Sequence, residues 1–411
     1  MKLLPDGTTP EARIIFVGRG LRAFGDGFIS LLLPLYVTAL GYDVVAVGAI
    51  STATLLGSAA LTVLVGLYAQ RIGRRALLIG AALLMIATGI GFLLERDFWP
   101  LILIAFIGTM NPSPGDVSLF YPLEQALLAE SVPPAQRTAT FAIYSLIGSL
   151  VAALGALAAA LPELLQAWLA LDRLKALQAM FALYTILGLF TYYLYRRLPA
   201  RLDRDRGTKK QALGPSRRVV FTLAALFSID SFGGGLIVQS LLALWLFERF
   251  GLSLAAAGAI FFWMGCFTAI SYLAAVKLSR RIGLVRTMVF THLLANFCAI
   301  ALPFAPNLSV AVALLLIRAA LSQMDVPTRS SYVMAVVTPE ERAAAASITA
   351  LPRSLASAVA PLFSGWLFAL SPFGWPLVAG GALKAIYDLL LLAMFRRHKP
   401  PEEEEPGRSA A

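Results

Sequence analysis

Charge is scarce in this chain. Only 14% of its 411 residues are Asp, Glu, Lys or Arg, 59% are hydrophobic, and the mean hydropathy is +0.77. A soluble globule of this length cannot bury so much apolar surface, so a bilayer is the expected solvent. Cysteine and histidine are scarcer still, with two of each. Cys266 and Cys298 lie inside apolar runs, without the close Cys/His spacing that zinc needs and without a disulfide framework. They read as small core residues, and no metal site is expected. No phosphate-binding P-loop occurs, and Gly18-Arg19-Gly20, which begins like a dinucleotide fingerprint, follows no strand. Neither a cofactor, ATP as the driving force nor an enzymatic nucleophile is therefore expected. The formal charge of +11 would raise nucleic-acid binding in a soluble protein. Here the basic residues flank apolar runs, as membrane loops do, and nucleic acid is not expected as a partner. The first stretch carries Pro5, Asp6, Gly7 and Glu11, and the apolar segment after it runs too long for a secretory signal, so the first helix is expected to stay in the mature protein.

What the chain has in abundance is long apolar runs. A spanning helix needs about twenty mainly apolar residues. Six such runs fall at Ile14–Leu40, Val44–Ala69, Ala76–Leu94, Pro100–Glu130, Thr138–Leu161 and Lys175–Arg196. Six more fall at Val219–Phe247, Ser253–Val276, Leu284–Ala305, Leu308–Val336, Ala343–Leu370 and Trp375–Arg396. Pro112, Pro114, Pro122, Pro327 and Pro361 lie within them, where kinks or freed backbone groups are expected. The predicted fold is an all-α membrane protein of twelve spans: residues 1–196 as one six-helix half, 197–218 as a linker, 219–396 as the second half and 397–411 as a disordered tail.

Placing both termini in the cytoplasm gives the inside roughly 24 Lys and Arg and the outside roughly four, the bias expected of a cell-membrane protein. The segment 197–218, which mixes Arg, Asp, Lys, Gly and Pro, reads as a solvated tether on anionic lipid heads. The tail carries Glu402 to Glu405 and no apolar run. Trp99, Trp375 and Tyr42, near span ends, read as interfacial anchors.

The two halves resemble each other. Phe24-Gly25-Asp26-Gly27-Phe28-Ile29 in span one matches Phe232-Gly233-Gly234-Gly235-Leu236-Ile237 in span seven. Gly48-Ala49-Ile50 matches Gly258-Ala259-Ile260, and Arg71-Ile72-Gly73 matches Arg281-Ile282-Gly283 at the same spacing. Three matches in order indicate a duplicated six-helix unit, with a substrate site expected between the halves.

Gly66-Leu67-Tyr68-Ala69-Gln70-Arg71-Ile72-Gly73-Arg74-Arg75 resembles the G-x-L-x-D-R-x-G-R-R/K loop between spans two and three of the major facilitator superfamily. A degenerate echo, Val276 to Gly283 with Arg281, falls between spans eight and nine, as in that family. Pro133-Pro134-Ala135-Gln136-Arg137 and Thr338-Pro339-Glu340-Glu341-Arg342 look like its P-x-E-R turns, so the resemblance covers nearly the whole chain. Gln70 and Tyr68 depart from the pattern, standing where the family has Asp and Leu. The resemblance implies secondary transport by alternating access, with Gly66, Arg71, Gly73, Arg74, Arg75, Arg281 and Gly283 in the loops that gate the conformational change. It also implies that spans one, four, seven and ten line a central cavity. The antiporter pattern of span five is poorly matched by Gly148 to Leu157, and span eleven does better with Ala360-Pro361-Leu362-Phe363-Ser364-Gly365.

Ionisable residues inside spans each cost about 2.5–3.5 kcal/mol at a helix centre, so they must face one another, water or a ligand. They are Arg19, Arg22, Asp26, Asp116, Glu124, Asp230, Arg318, Asp325, Arg329, Arg353, Lys384 and Asp388. All but the last two and Arg353 fall in spans one, four, seven and ten. Arg318, Ser322, Asp325, Arg329 and Tyr332 form one helical stripe, and Arg19, Arg22 and Asp26 another, with Arg22 and Asp26 an i,i+4 pair. Asp26 reads either as a proton or cation site or as a structural partner of Arg22 or Arg19. Glu124 takes the proton role if Arg22 neutralises Asp26, and Asp116 is the third candidate. Arg318 and Arg329 hold an anionic substrate group or pair with Asp325 and the span-four carboxylates. Asp230 binds substrate or pairs with an arginine of span one or ten; Arg22 belongs to the same substrate-cavity set. His292 reads as a satisfied core histidine, and Lys384 with Asp388 as a mutually neutralising pair.

The expected function is secondary transport of a small organic solute coupled to protons, in the efflux direction. Organic-anion uptake or facilitated transport is the alternative, and a transporter-like membrane sensor the alternative of another class. The expected partners are that solute, protons and the lipid bilayer, with no obligate protein partner.

Overall fold

The computed structural model describes residues 9–395 except 114–118, 133–136, 201–213, 215, 326–328, 330–331, 334–336 and 338–340. Asp116, Pro114, Pro327, most of both P-x-E-R turns, most of the linker and the acidic tail lie outside the described residues.

Among the described residues ten helical stretches are long and apolar enough to cross a membrane, and two shorter apolar helices, Phe98–Ile107 and Leu308–Ser322, stand in the places of spans four and ten. In chain order the helices are α1 (Pro10–Ala39), α2 (Val44–Ile72), α3 (Arg74–Leu94), α4 (Phe98–Ile107), α5 (Phe120–Ser131), α6 (Arg137–Ala158), α7 (Leu161–Leu169) and α8 (Arg173–Arg196). There follow α9 (Arg217–Leu236), α10 (Gln239–Phe250), α11 (Leu254–Ile282), α12 (Leu284–Ala301), α13 (Leu308–Ser322), α14 (Arg342–Leu370) and α15 (Trp375–Phe395). Among the described residues three of the twelve expected runs are not single helices, and one of them is span ten, whose helix α13 ends at Ser322 with Gln323 and Met324 in a turn. Span four is divided between α4 and α5, where Pro112 and Pro114 follow Gly108. Span seven is divided between α9 and α10 at Ile237 and Val238, directly after the triple glycine. Glycine and proline are the residues that weaken or forbid the interior helical ladder, so the breaks fall where the backbone chemistry puts them. Pro361 acts differently, because α14 runs on through it.

Caps begin several helices. Thr9 Oγ1 accepts the N–H of Ala12 at 3.3 Å with Pro10 at the first helical position, so α1 starts before its apolar run does. Asp172 accepts the N–H of Lys175 at 2.8 Å and opens α8. That backbone hydrogen bond, together with the lysine charge, holds the exposed Asp172 carboxyl below the usual carboxylate range. Leu83, Ile90 and Leu94 of α3, Ile186, Leu189 and Phe190 of α8 and Phe290, Leu294 and Phe297 of α12 are exposed. Continuous apolar faces on three helices are what a lipid-facing surface requires.

The chain forms two compact units: Met1–Gly207 with Val238–Gly265, and Thr208–Ile237 with Cys266–Ala411. The division differs from the halves read from the sequence, because the span-seven break lets α10 and the start of α11 pack with the first unit. In that unit α1 is buried on nearly all sides and packs on α6 and α8, while α3 lies on α8 and α2 on α4. Gln239 Nε2 donates to Ser30 Oγ at 3.0 Å, tying α10 to α1. Glu163 of the short helix α7 accepts the N–H of Leu254 at 2.7 Å, supplying an acidic cap to the first turn of α11. In the second unit α9 packs on α14 and α15, and α12 on α15 and α13.

The duplication is visible in backbone detail. Gly73 and Gly283 each precede a helix with φ of 87°, a conformation glycine adopts without the strain any other residue would carry. A Cβ on Gly27 would lie 2.1 Å from the Ala152 carbonyl of α6, and one on its counterpart Gly235 would lie 2.5 Å from the Ser357 carbonyl of α14. The Ser357 carbonyl is the one whose helical donor Pro361 removes. Matched glycines therefore do the same work in both units: they let two helix backbones touch.

Candidate functional site

In the first unit the charges on α1 meet α5, α6 and α8. Arg22 donates to both oxygens of Glu124, Nη1 to Oε1 at 2.9 Å and Nη2 to Oε2 at 2.5 Å. The Tyr144 hydroxyl donates to Oε2 at 2.6 Å, and the Tyr195 hydroxyl donates to Oε1 and accepts from Arg22. The Arg22 guanidinium also lies 4.0 Å from the centre of the Phe120 ring. Glu124 is fully buried and its carboxylate carries four hydrogen bonds, which uses its acceptor capacity. This is a bidentate, desolvated pair whose carboxylate oxygens are all engaged.

The expected Arg22–Asp26 helical pair does not form. A carboxylate four residues along the same helix offers one contact at most, whereas Glu124 presents both oxygens to the planar fork. Asp26 is left buried, 7% exposed, with no hydrogen bond or ion pair among the described residues. Arg19 and Arg22 act on it only through their fields, and Tyr184 lies beside it. The Arg19 guanidinium stands 5.0 Å from the centre of the Tyr144 ring. Of these two buried carboxylates Glu124 is thus saturated, and Asp26 has no ion pair among the described residues.

The second unit gathers its charges differently. Asp230 of α9 accepts from Lys384 Nζ at 2.6 Å on Oδ1 and from Arg329 Nη1 at 3.0 Å on Oδ2. The same Arg329 nitrogen lies 3.1 Å from Asp325. Asp388 makes no ion pair with Lys384 among the described residues. One of its oxygens meets His292 Nδ1 at 2.9 Å and the other accepts from Asn296 Nδ2 at 2.9 Å. Lys384 reaches Asp230 of α9 while Asp388 reaches His292 and Asn296 of α12, so the two residues find different neighbours. His292 is satisfied, as a core histidine should be, but it sits inside the charge network. Arg318 stands apart: it makes no ion pair among the described residues, and the Cys298 thiol is the group whose field reaches it.

The loop residues divide as well. Arg75 Nε donates to the Leu198 carbonyl at 2.7 Å and its Nη2 to the Arg196 carbonyl at 3.1 Å, closing the end of α8. Arg74 is half-buried and Arg281 exposed, while the side-chain positions of Gly66 and Arg71 lie outside the described residues. Glu341, from the second P-x-E-R turn, accepts the Gly214 N–H at the end of the linker. Sequence reasoning did not find Tyr144, Tyr195, Phe120, Asn296 or Tyr387. The signal that could have pointed to the tyrosines is physical: a phenol inside an apolar span needs a partner, and carboxylates there are few.

Comparison with known proteins agrees with this architecture. The Major Facilitator Superfamily matches residues 15–324, and the chain belongs to that family. An uncharacterized membrane protein of Saccharomyces cerevisiae, YJR124C, is 23% identical over 421 residues, covering 94% of both proteins. The nucleoside transporter NupG shares the fold with a TM-score of 0.71 at 15% identity, over 94% of this chain and 100% of that one. The human organic anion transporter MFSD10 shares it with a TM-score of 0.63 at 18% identity, over 93% of this chain and 100% of that one. The molecule is a multi-pass membrane transporter by family.

Proposed function

We propose that the protein moves a small organic solute by alternating access, coupled to protons at Asp26, with both termini in the cytoplasm of a cell-membrane protein and efflux as the working direction. The observation that carries the reading is the division of labour on α1. Arg22 is committed to Glu124, so Asp26 is a desolvated carboxylate with no ion pair among the described residues, reached by Arg19 and Arg22 only through their fields. Such a group gains from taking up either a proton or a cationic ligand, and exchanging one for the other is the elementary act of an antiporter. Glu124, saturated by one arginine and two tyrosines, holds the bundle together and leaves the coupling to Asp26. The efflux direction is supported by the Ala360-Pro361 to Gly365 pattern of span eleven alone.

A second reading, organic-anion transport, is supported by Arg318. Arg329 is occupied by Asp230 and Asp325, while Arg318 has no acidic partner among the described residues and is available to a carboxylate or sulfonate. The fold shared with MFSD10 is compatible with it.

A thermal-shift screen of the purified protein against nucleosides, organic anions and lipophilic cations at two pH values separates these readings. Under the first, the stabilising ligand acts more strongly at the higher pH, and Asp26→Asn removes that pH dependence. Under the second, Arg318→Gln abolishes stabilisation by anions. Unchanged pH dependence in Asp26→Asn sinks the Asp26 assignment.

A further inference from the structure

The short helix α7 has two faces of different kind. Leu161, Leu164 and Trp168 stand at i, i+3 and i+7, on one stripe, and all three are exposed. At 81% exposure Trp168 is the most exposed large hydrophobic side chain among the described residues. Glu163 and Gln166 occupy the opposite face. Gln166 stays within the helix, its amide donating to the Pro162 carbonyl at 3.0 Å. The half-buried Glu163 carboxylate reaches outside it, accepting the N–H of Leu254 at 2.7 Å and that of Ala255 at 3.4 Å, while Ser253 Oγ accepts the N–H of Ala256 at 3.1 Å. Two N–H groups that have no partner within α11 are therefore held by α7. One turn on, a Cβ on Gly258 would lie 2.6 Å from the Ala156 carbonyl, so the α11 backbone is also seated directly on α6, the helix that precedes α7.

We propose that α7 is an interfacial helix, which sinks Leu161, Leu164 and Trp168 into the boundary between lipid headgroups and acyl chains, and that Glu163 passes this anchorage to the first turn of α11. Chain geometry puts α7 at that depth. α6, with 22 residues, and α8, with 24, are each about 33–36 Å long, enough to cross a hydrocarbon core of about 30 Å alone. The nine residues of α7 lie between these two complete crossings, at a membrane surface. Water begins just beyond, where Asp172 and Lys175 form an exposed ion pair at 3.3 Å. The apolar surface is continuous as well: Leu150, Leu154 and Leu157 lie exposed along α6 at spacings of four and three, and lead into the α7 stripe. Tryptophan suits this boundary, having an apolar body and an N–H for the headgroup level. Lipid that covers the stripe fixes the height of α7, and Glu163 then holds the start of α11 to the same level.

Two measurements on the full chain in phosphatidylcholine nanodiscs test the two parts. With fluorotryptophan incorporated, the six tryptophans give separate fluorine signals, and Trp168→Phe identifies the one that belongs to Trp168. In the parent protein this signal is expected to broaden with lipid carrying a nitroxide near the headgroup and to be little affected by a gadolinium chelate in the water. Broadening by the chelate instead, or by neither agent, as burial against a second copy of the chain would give, overturns the proposal. Hydrogen exchange then reads the link to α11. Glu163→Ala is expected to speed exchange at Leu254 and Ala255 roughly tenfold, the loss of a hydrogen bond. Leu164→Ser with Trp168→Ser is expected to speed the same two amides, and to add nothing when Glu163→Ala is already present. Parent-like exchange in the double variant, or effects that simply add, overturns the proposal too. Unshifted fluorine signals from the remaining tryptophans show that each variant is folded. Neither measurement uses substrate or gradient, so their failure leaves the Asp26 reading standing, and the failure of Asp26 leaves this one.

Discussion

Glu124 and Asp26 are both buried carboxylates of one helix bundle, and their surroundings set opposite responses to substitution. Removing the charge of Glu124 leaves Arg22 uncompensated against two tyrosine hydroxyls and the Phe120 ring. Breaking a buried pair in this way costs about 3–5 kcal/mol. Glu124→Gln is therefore expected to lower the unfolding temperature in detergent strongly, while Asp26→Asn, which removes a buried charge that has no ion pair among the described residues, is expected to unfold at or above the parent temperature. Much at this scale was legible beforehand. The cost of charge in a bilayer singles out Arg22, Asp26, Glu124, Asp230 and Arg329 from composition alone. Pairing was not legible, because i,i+4 spacing describes a helix in isolation. Arg22 prefers a bidentate partner 102 positions away, and Lys384 reaches across to α9 rather than along its own helix.

At the scale of elements, the broken spans carry the most consequence. α9 ends at Leu236, and its freed carbonyl accepts the Ser364 hydroxyl of α14 at 2.8 Å. A buried carbonyl that loses its donor costs about 1–3 kcal/mol. Ser364→Ala is expected to destabilise by that amount in a denaturation series, with Ser364→Thr milder; no change would mean that the break is satisfied otherwise. The hydropathy that marks twelve runs averages over twenty residues, so it registered one span where α9 and α10 are two helices. The triple glycine before the break was visible in the sequence, but a glycine tract marks flexibility and tight contact alike, and here it serves both. Gly235 packs against the Ser357 backbone, and the helix stops at the next residue, Leu236. The short helix α7 was missed for a related reason: nine residues are too few for a periodic signal.

For the whole molecule, duplication explains more than the fold. Gly27 and Gly235 make equivalent close contacts, Gly73 and Gly283 share one backbone conformation, and α1 and α9 are the central helices of their units. Between the matched glycines the repeat diverges, with Asp26 on α1 and Gly234 on α9. The ion chemistry of the second unit is built instead around Asp230, one turn earlier. The order of the three repeat matches was readable from sequence because backbone constraints preserve glycine. The pairing of the charges was not readable from the repeat, because a close backbone contact does not decide which side chains meet.

The central claim, that Asp26 couples solute movement to protons, is tested most directly by flux in proteoliposomes loaded with a ligand from the screen. An imposed pH gradient is expected to drive ligand against its concentration gradient in the parent protein. Asp26→Asn is expected to lose this driven movement yet still exchange labelled for unlabelled ligand across the membrane. Driven accumulation by Asp26→Asn equal to that of the parent, or a parent indifferent to the gradient, would contradict it.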